Sequence, residues 1–292
     1  MLTLFKLTSR AMTALPLGIA LAIGRGFGWF VAHVIRHRRR ETIERLQTCF
    51  PEKSRMECRA IYCGMFANLG MNIIEMLRVS HVGLADVEDR MTVHGRDNLD
   101  ALQNGGLILM AHVGNWENCG YLTSILASTC TVVVKPIKND ALQDHIEATR
   151  KKMNLEILPH NNSYRECLRR LKKGHSLAII LDQNRTAAQG VFVDFFGQPA
   201  CTSPGLALMS AQMKIPVVPL FDVRRNNREH DLYVLPPIPP SQSRKIDALT
   251  EATQQYTKVI EDIIRQHPDQ WTWLHRRWRT KPESDGNEAA PS

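Results

Sequence analysis

The sequence predicts an α/β protein: a central, mostly parallel sheet flanked by helices, preceded by an amino-terminal membrane-associated helix. Three observations carry this. Beyond Val82, short apolar runs alternate with helix-patterned stretches, the mark of a sheet covered on both faces. The most apolar segment, residues 11–35, stands apart at the amino terminus and ends in Arg36-His37-Arg38-Arg39-Arg40. The composition is that of a folded chain, since 43% of the 292 residues are hydrophobic and 23% charged, which excludes a disordered or fibrous protein. A mean hydropathy of -0.24 is too polar for a multi-span membrane protein but leaves room for one apolar segment.

That segment, AMTALPLGIALAIGRGFGWFVAHVI, is interrupted by Arg25 and its glycines. It is near the roughly 20 apolar residues that a bilayer requires. It either spans marginally or lies in the interface, with Arg25 snorkelling and Trp29 and Phe30 at head-group depth. A cleavable signal peptide is a rival reading, with Lys6 and Arg10 as its charged region and Ala20-Leu21-Ala22 as its cleavage site. The apolar run continues past that site, however. A buried core helix is the other rival.

Residues 53–79 carry an apolar stripe (Met56, Ala60, Ile61, Met65, Leu69, Ile73, Leu77) at helical spacing. Leu107–Ala111, Thr131–Val134, Leu155–Leu158, Leu177–Leu181 and Val217–Phe221 read as strands. Stretches near 116–127, 140–152, 163–173 and 203–213 read as the helices between them. The Leu235–Pro240 run breaks the chain before a last helix at about 245–266, and the tail from Glu283 is polar. The expected division is an anchor and its basic flank at 1–40, an α/β domain at 41–282, and a disordered tail at 283–292.

Lys+Arg 37 against Asp+Glu 29 leaves a formal charge of +8. This favours anionic partners: phospholipid head groups, nucleic acid or an acidic carrier protein. The seven cysteines contain no CxxC pair and read as reduced, mostly buried thiols of a cytosolic domain.

The richest chemistry lies at Ala111-His112-Val113-Gly114-Asn115-Trp116-Glu117, directly after the strand LILMA. A His and a Glu five positions apart do not share a face of a regular helix. At a strand-to-helix turn, Gly114 permits a sharp bend, Asn115 can cap, and Glu117 falls in the first helical turn. Glu117 would then reach back to the imidazole and stabilise its cation, making His112 a general base. Nearby helix amides would hold a developing oxyanion.

His112 to Glu117 resembles the H-x4-D/E motif of glycerolipid acyltransferases, and AHVGNWE resembles the branch containing the bacterial lipid A secondary (late) acyltransferases. The resemblance extends over nearly all of the chain. It takes in the amino-terminal helix, Asp182-Gln183-Asn184, Gly190–Thr202 and the Pro216–Phe221 strand, and it closes on Trp271-Thr272-Trp273-Leu274-His275-Arg276-Arg277-Trp278. It implies transfer of an acyl chain from an acyl carrier protein or coenzyme A thioester to a hydroxyl of a membrane lipid, a lipid A precursor first. It also implies a place on the cytoplasmic face of a bacterial inner membrane. His112 would deprotonate the acceptor hydroxyl with no enzyme nucleophile and no cofactor. Arg150, in the helix after Lys135-Pro136, would bind phosphate or help the oxyanion. Asp182 would orient the site or cap a turn, and Asn115 would contact substrate. Phe195-Phe196-Gly197 with Thr202 would shape the entrance, Phe195 and Phe196 as packing residues rather than ligands.

Other motifs fail on context. Gly24-Arg25-Gly26-Phe27-Gly28 follows no strand, so it is no phosphate loop. GxSxG is absent, and Cys119 lacks the basic flank of a reactive thiol. HExxH is absent too, so no metal is expected. The Trp271–Trp278 block with its arginines imitates a nucleic-acid patch, but a packed carboxyl-terminal element accounts for it better. Two other classes stay open: a nucleic-acid binder with its charge along one groove, and a non-catalytic membrane scaffold.

Overall fold

The chain begins with two helices because Pro16 offers no N–H and its ring blocks the preceding turn. Helix α1 spans Leu2–Ala14; α2 spans Leu17–Phe30 and runs on through a π-helical turn at Val31–Ile35. The apolar run expected as a single helix at 11–35 is therefore split. The computed structural model describes residues 2–127, 129–134, 139–152, 154–159 and 164–282. Lys135-Pro136 and the tail from Glu283 lie outside them.

Helix α3 (Arg39–Cys49) leads to α4 (Arg55–Glu88), which a capping box starts: Ser54 Oγ accepts from the Glu57 amide at 3.2 Å while the Ser54 amide donates to Glu57 Oε2 at 2.8 Å. Helix α4 runs past the expected end at Leu77–Val79 and kinks at Gly83 (φ 81). Its predicted stripe is partly wrong. Met56 is 79% and Ile73 45% exposed, whereas Cys58, Tyr62 and Phe66 join Ile61 and Met65 in the core.

Helix α2 lies against α4 with almost no side-chain layer between them. A Cβ on Gly24 would stand 2.5 Å from the Gly70 carbonyl oxygen, and one on Gly28 would stand 2.0 Å from that of Phe66. Its other face carries Ile19, Ile23, Phe27, Trp29 and Phe30 outward, and Val34 and Ile35 continue that exposed face.

The main sheet contains β1 (Met91–His94), β2 (Leu107–Met110), β3 (Cys130–Val134), β4 (Leu155–Pro159), β5 (Ser176–Ile180), β8 (Val217–Arg224) and β9 (His230–Val234). Their order is β1-β9-β8-β2-β5-β3-β4, parallel at every junction except β8–β9. Helices α5 (Trp116–Leu126), α6 (Asp140–Lys152), α7 (Tyr164–Lys172), α8 (Gly205–Met213) and α9 (Ile246–Gln266) connect or close the strands. In β2, Leu107 and Leu109 enter one core and Ile108 and Met110 the other, all at most 2% exposed. Each such side chain contributes about 1.5–3 kcal/mol of burial.

The five expected strands are all present. Four others are not foreseen. β1 is a short edge strand, and β9 starts with His230-Asp231, whose polarity hides it. β6 (Val191–Phe195) and β7 (Gln198–Thr202) form a separate antiparallel hairpin. Its two-residue turn, Phe196-Gly197, has positive φ at both positions (58 and 72), the conformation whose twist suits a tight hairpin. Phe195 and Phe196 are buried among Phe50, Trp271, Trp273 and Trp278. They pack the core and do not line an entrance.

Candidate active site

Strands β2 and β5 are parallel neighbours, with Met110 opposite Ile180. Two residues beyond each stands a titratable side chain, His112 on one strand and Asp182 on the other. The shared register brings them side by side at the carboxyl edge of the sheet, where open α/β sheets form their sites. His112 Nδ1 lies 2.8 Å from Asp182 Oδ1, and the His112 amide donates to Asp182 Oδ2 at 2.9 Å. The indole Nε1 of Trp271 donates to the same Oδ2 at 2.7 Å. Burial opposes charge on Asp182, but the imidazole's charge and hydrogen bond, with the indole's, overcome it and hold this carboxyl well below the ordinary carboxylate range.

An ionised carboxylate requires a donor, so Nδ1 carries the proton of the neutral ring and the Nε2 lone pair points away from the carboxylate. Burial works against the imidazolium. The Asp182 charge and hydrogen bond and the more distant Glu117 charge outweigh it, and the His112 pKa is raised. The ring is half-buried, with Trp116 edge-on at 5.0 Å between centroids and His275 tilted at 4.9 Å. Gln183 Nε2 is 3.5 Å from His112 Nε2. Burial lowers the pKa of His275, which is therefore a neutral imidazole beside the base near pH 7.

The backbone around His112 is held from two sides. The segment after α9 pairs with it: Thr272 N donates to the His112 carbonyl at 3.2 Å, Gly114 N donates to the Gln270 carbonyl at 2.9 Å, and Val113 bridges Trp271. Gly114 has φ +54, and a Cβ there would stand 2.0 Å from the Asp222 carbonyl oxygen, so only glycine fits this bend.

Glu117 does not orient the imidazole. As the second residue of α5 it faces α6, where Arg150 takes both carboxylate oxygens, at 2.7 Å (Nη2–Oε1) and 3.2 Å (Nε–Oε2). Burial pulls the Arg150 pKa down, but Glu117 and Tyr121 raise it overall. Beside this pair lies a cavity lined by Phe5, Met76, Val79, Tyr121, Ile146 and Thr149. Asn115 also departs from expectation. It stands at the start of α5 but makes no side-chain cap, and its buried amide donates to Glu75 Oε2 at 2.8 Å. Glu75 attracts that amide because it belongs to a buried charged cluster that caps the far side of the turn.

In that cluster His230 is flanked on both nitrogens, Nδ1 by Asp222 Oδ1 at 2.8 Å and Nε2 by Glu75 Oε1 at 3.1 Å. Arg224 Nη2 donates to Glu75 Oε2 at 2.6 Å and to Asn72 Oδ1 at 2.8 Å. Asp222 Oδ1 also accepts the Asn115 amide at 3.0 Å. Burial opposes the His230 cation, yet the two carboxylates push its pKa up to about 9. Gln183, Trp271 and His275 entered the sequence reading only within the blocks that carry the resemblance, with no role, and this cluster escaped it. Only the matched two-residue offset of His112 and Asp182 beyond their strands gave a usable signal. The Cys119 thiol, buried, is pushed well above its ordinary pKa and does not serve as a nucleophile.

The chain is similar to known proteins over most of its length. The chain is 25% identical over 285 residues to the lipid A biosynthesis lauroyltransferase of Escherichia coli (strain K12), covering 92% of this chain and 88% of that one. It is 26% identical to the lipid A biosynthesis palmitoleoyltransferase of the same organism, covering 86% and 82%. The phosphatidylinositol mannoside acyltransferase of Mycobacterium tuberculosis (strain ATCC 25618 / H37Rv) is 25% identical, covering 75% of this chain and 70% of its own. The crystal structure of a 1-acyl-sn-glycerophosphate acyltransferase from Thermotoga maritima overlaps with a TM-score of 0.40 at 13% identity, too slight a likeness to bear on the chemistry. The bacterial lipid A biosynthesis acyltransferase family model matches residues 3–280. With that match spanning nearly the whole chain, the protein belongs to this family and is an acyltransferase.

Proposed function

We propose that the protein transfers a fatty acyl chain from an acyl carrier protein or coenzyme A thioester to a hydroxyl of a lipid A precursor. The observation that carries the mechanism is the His112–Asp182 pair with an Nε2 that no carboxylate holds. In the forward step Nε2 takes the acceptor hydroxyl proton as the oxygen attacks the thioester carbonyl. The C–O bond forms, the C–S bond breaks, and the imidazolium returns its proton to the leaving thiolate. Asp182 stabilises the transient cation and fixes the tautomer. Neutral His275 and the first-turn amides of α5 are the donors within reach of the oxyanion.

The Glu117–Arg150 pair is read as the wall between this centre and the neighbouring cavity, which at about 20 Å³ holds a water-sized group and no acyl chain. Residues 1–40 are read as an anchor on the cytoplasmic face of the bacterial inner membrane, and residues 41–282 as the catalytic unit. Leu17–Ile35 is long and apolar enough to cross a bilayer, and only 28% of it is buried; Arg55–Val79 passes the same test but is 61% buried against the rest of the protein. The exposed apolar face of α2 supports the anchor, and the positive charge suits anionic lipid, with no nucleic-acid role. The decisive assay supplies radiolabelled acyl carrier protein and acyl coenzyme A in parallel over a panel of acceptor lipids. Transfer to a lipid A precursor is expected. Transfer to a lysophospholipid or a mannoside alone would replace the acceptor, and no transfer to any lipid hydroxyl would end the reading.

A further inference from the structure

Where α2 hands the chain to α3, the backbone turns through two arginines in the left-handed region, Arg36 (φ 56) and Arg38 (φ 50). Each such non-glycine residue costs about 1–2 kcal/mol. The turn brings Arg36, Arg39 and Arg40 opposite Arg55 and Arg59 at the start of α4. Together with Ile43 and Met56 they line an open groove of about 620 Å³ that contains no carboxylate. Arg40 pairs with Glu44 at 2.8 Å, outside the groove lining. Arg39, Arg55 and Arg59 have no carboxylate within ion-pair distance among the described residues. Basic side chains also stand in the first turns of α3 and α4, the helix ends where the backbone dipole disfavours cations. Arg39, Arg40 and Arg55 stand against that field, each first turn offsetting it with one acidic residue, Glu41 or Glu57; with Arg36 and Arg59 beside them, and only Arg40 paired, the groove keeps a local demand for an anion.

The surroundings say which anion. Val34 and Ile35, each 56% exposed, run directly into the arginines, and Met56, 79% exposed, rises from the groove itself. Apolar side chains that reach outward beside guanidinium groups match the boundary between lipid tails and phosphates. An acidic protein surface would not call for them.

We propose that this groove is a composite binding site for the phosphate of an anionic phospholipid head group, built jointly by the end of the amino-terminal segment and the start of α4. The proposal rests on the membrane-surface reading above. It adds that Arg55 and Arg59, outside that segment, supply two of the five guanidinium groups. The site fixes the depth and rotation of the protein on the bilayer. Hydrogen bonds from the Arg38 side chain (Nη1) to the Leu274 carbonyl and from Thr272 N to the His112 carbonyl tie this corner to the turn that presents His112. Seating the groove on phosphates therefore also sets where His112 stands above the membrane.

The test is flotation of the full chain with vesicles of phosphatidylcholine alone and of phosphatidylcholine with phosphatidylglycerol. Arg39→Gln/Arg55→Gln/Arg59→Gln should weaken partition onto the anionic vesicles roughly 100-fold, at about 1 kcal/mol per basic residue, and leave the neutral vesicles unaffected. Lys172→Gln/Lys173→Gln/Arg244→Gln removes the same charge from other exposed positions and should stay close to the parent. An equal loss in both variants would mean a diffuse field and overturn the groove. Equal partition of the parent onto both vesicle types would overturn the groove alone and leave the anchor standing, whereas no flotation with either would overturn both. A rise in KM for a carrier-protein donor without vesicles, with flotation unchanged, would reassign the groove to the acidic carrier protein.

Discussion

The two histidine–carboxylate centres on either side of the catalytic turn use the same side chains to opposite ends. His112 has one nitrogen engaged by Asp182 and the other facing only the Gln183 amide at 3.5 Å, in a ring whose side chain is 15% exposed. His230 has both nitrogens engaged by carboxylates, and its side chain is 1% exposed. An imidazole accepts a substrate proton only through a lone pair that no carboxylate holds, so the first centre suits the base proposed above and the second does not. The second contributes order: through Asp222 and Glu75 it fastens the Asn115 amide and side chain, and so the turn that presents His112. What separates the two centres is one nitrogen that no carboxylate holds.

The largest effect should come from emptying the His112 centre. His112→Ala is expected to lower kcat by about 100- to 10,000-fold with the fold intact, as read by circular dichroism alongside acyl transfer. Near-parental turnover in folded protein would abolish the contrast between the centres. Asp182→Asn is expected to cost somewhat less, about 100-fold or more, through loss of the tautomer lock. It should also shift the acidic limb of the kcat/KM–pH profile downward, because the charge that raises the His112 pKa is gone. An unmoved limb would mean that Asp182 does not act through the imidazole.

Glu117→Gln should follow, and Arg150→Gln placed on top of it should add little, since the two form one bidentate pair. Combined with His112→Ala, by contrast, Glu117→Gln should still add a loss of its own in apparent affinity for the acyl donor. A complete absence of that extra loss would restore the direct His112–Glu117 partnership expected from the sequence.

The closed centre should respond in stability rather than in turnover. His230→Ala leaves buried carboxylates unmatched and should cost about 3–5 kcal/mol in urea unfolding, while turnover per folded molecule stays close to the parent. Because the folded-state pKa of His230 is raised to about 9, its contribution is complete below the unfolded value near 6.5 and is lost as pH rises from there through about 9. Parental stability should fall across that window, and the variant should be flatter. The smallest effect is that of moderate salt, which should raise the apparent KM for a carrier-protein donor and leave the stability of the closed centre nearly unchanged, because buried pairs are poorly screened.

The His112 centre was half legible in the sequence. A histidine after the run LILMA, a glycine at the bend and a helix beginning at Trp116 follow from local pattern alone. The partner does not, because a linear pattern fixes which residues make β5 but not that β5 lies beside β2. Glu117 was preferred over Asp182 for nearness in sequence, and the register of the sheet reversed that preference. The closed centre was illegible for another reason. His230-Asp231 opens β9 with two polar residues, which reads as a loop until Glu75, Asp222 and Arg224 are seen to neutralise the strand from outside.

The indole of Trp271 is one of the three donors that keep Asp182 ionised, and it lies 89 residues further along the chain. A ribosome adding about 5–20 residues per second takes roughly 4 to 18 s to cover that interval. Throughout it, α2 and the arginines behind it have already left the exit tunnel, while the aspartate still lacks its indole and the catalytic turn lacks the strand-like segment that closes it. With the anchor proposed above, the nascent chain would reach the bilayer before it becomes competent for transfer, and a chain interrupted ahead of Trp271 would be a bound but silent protein.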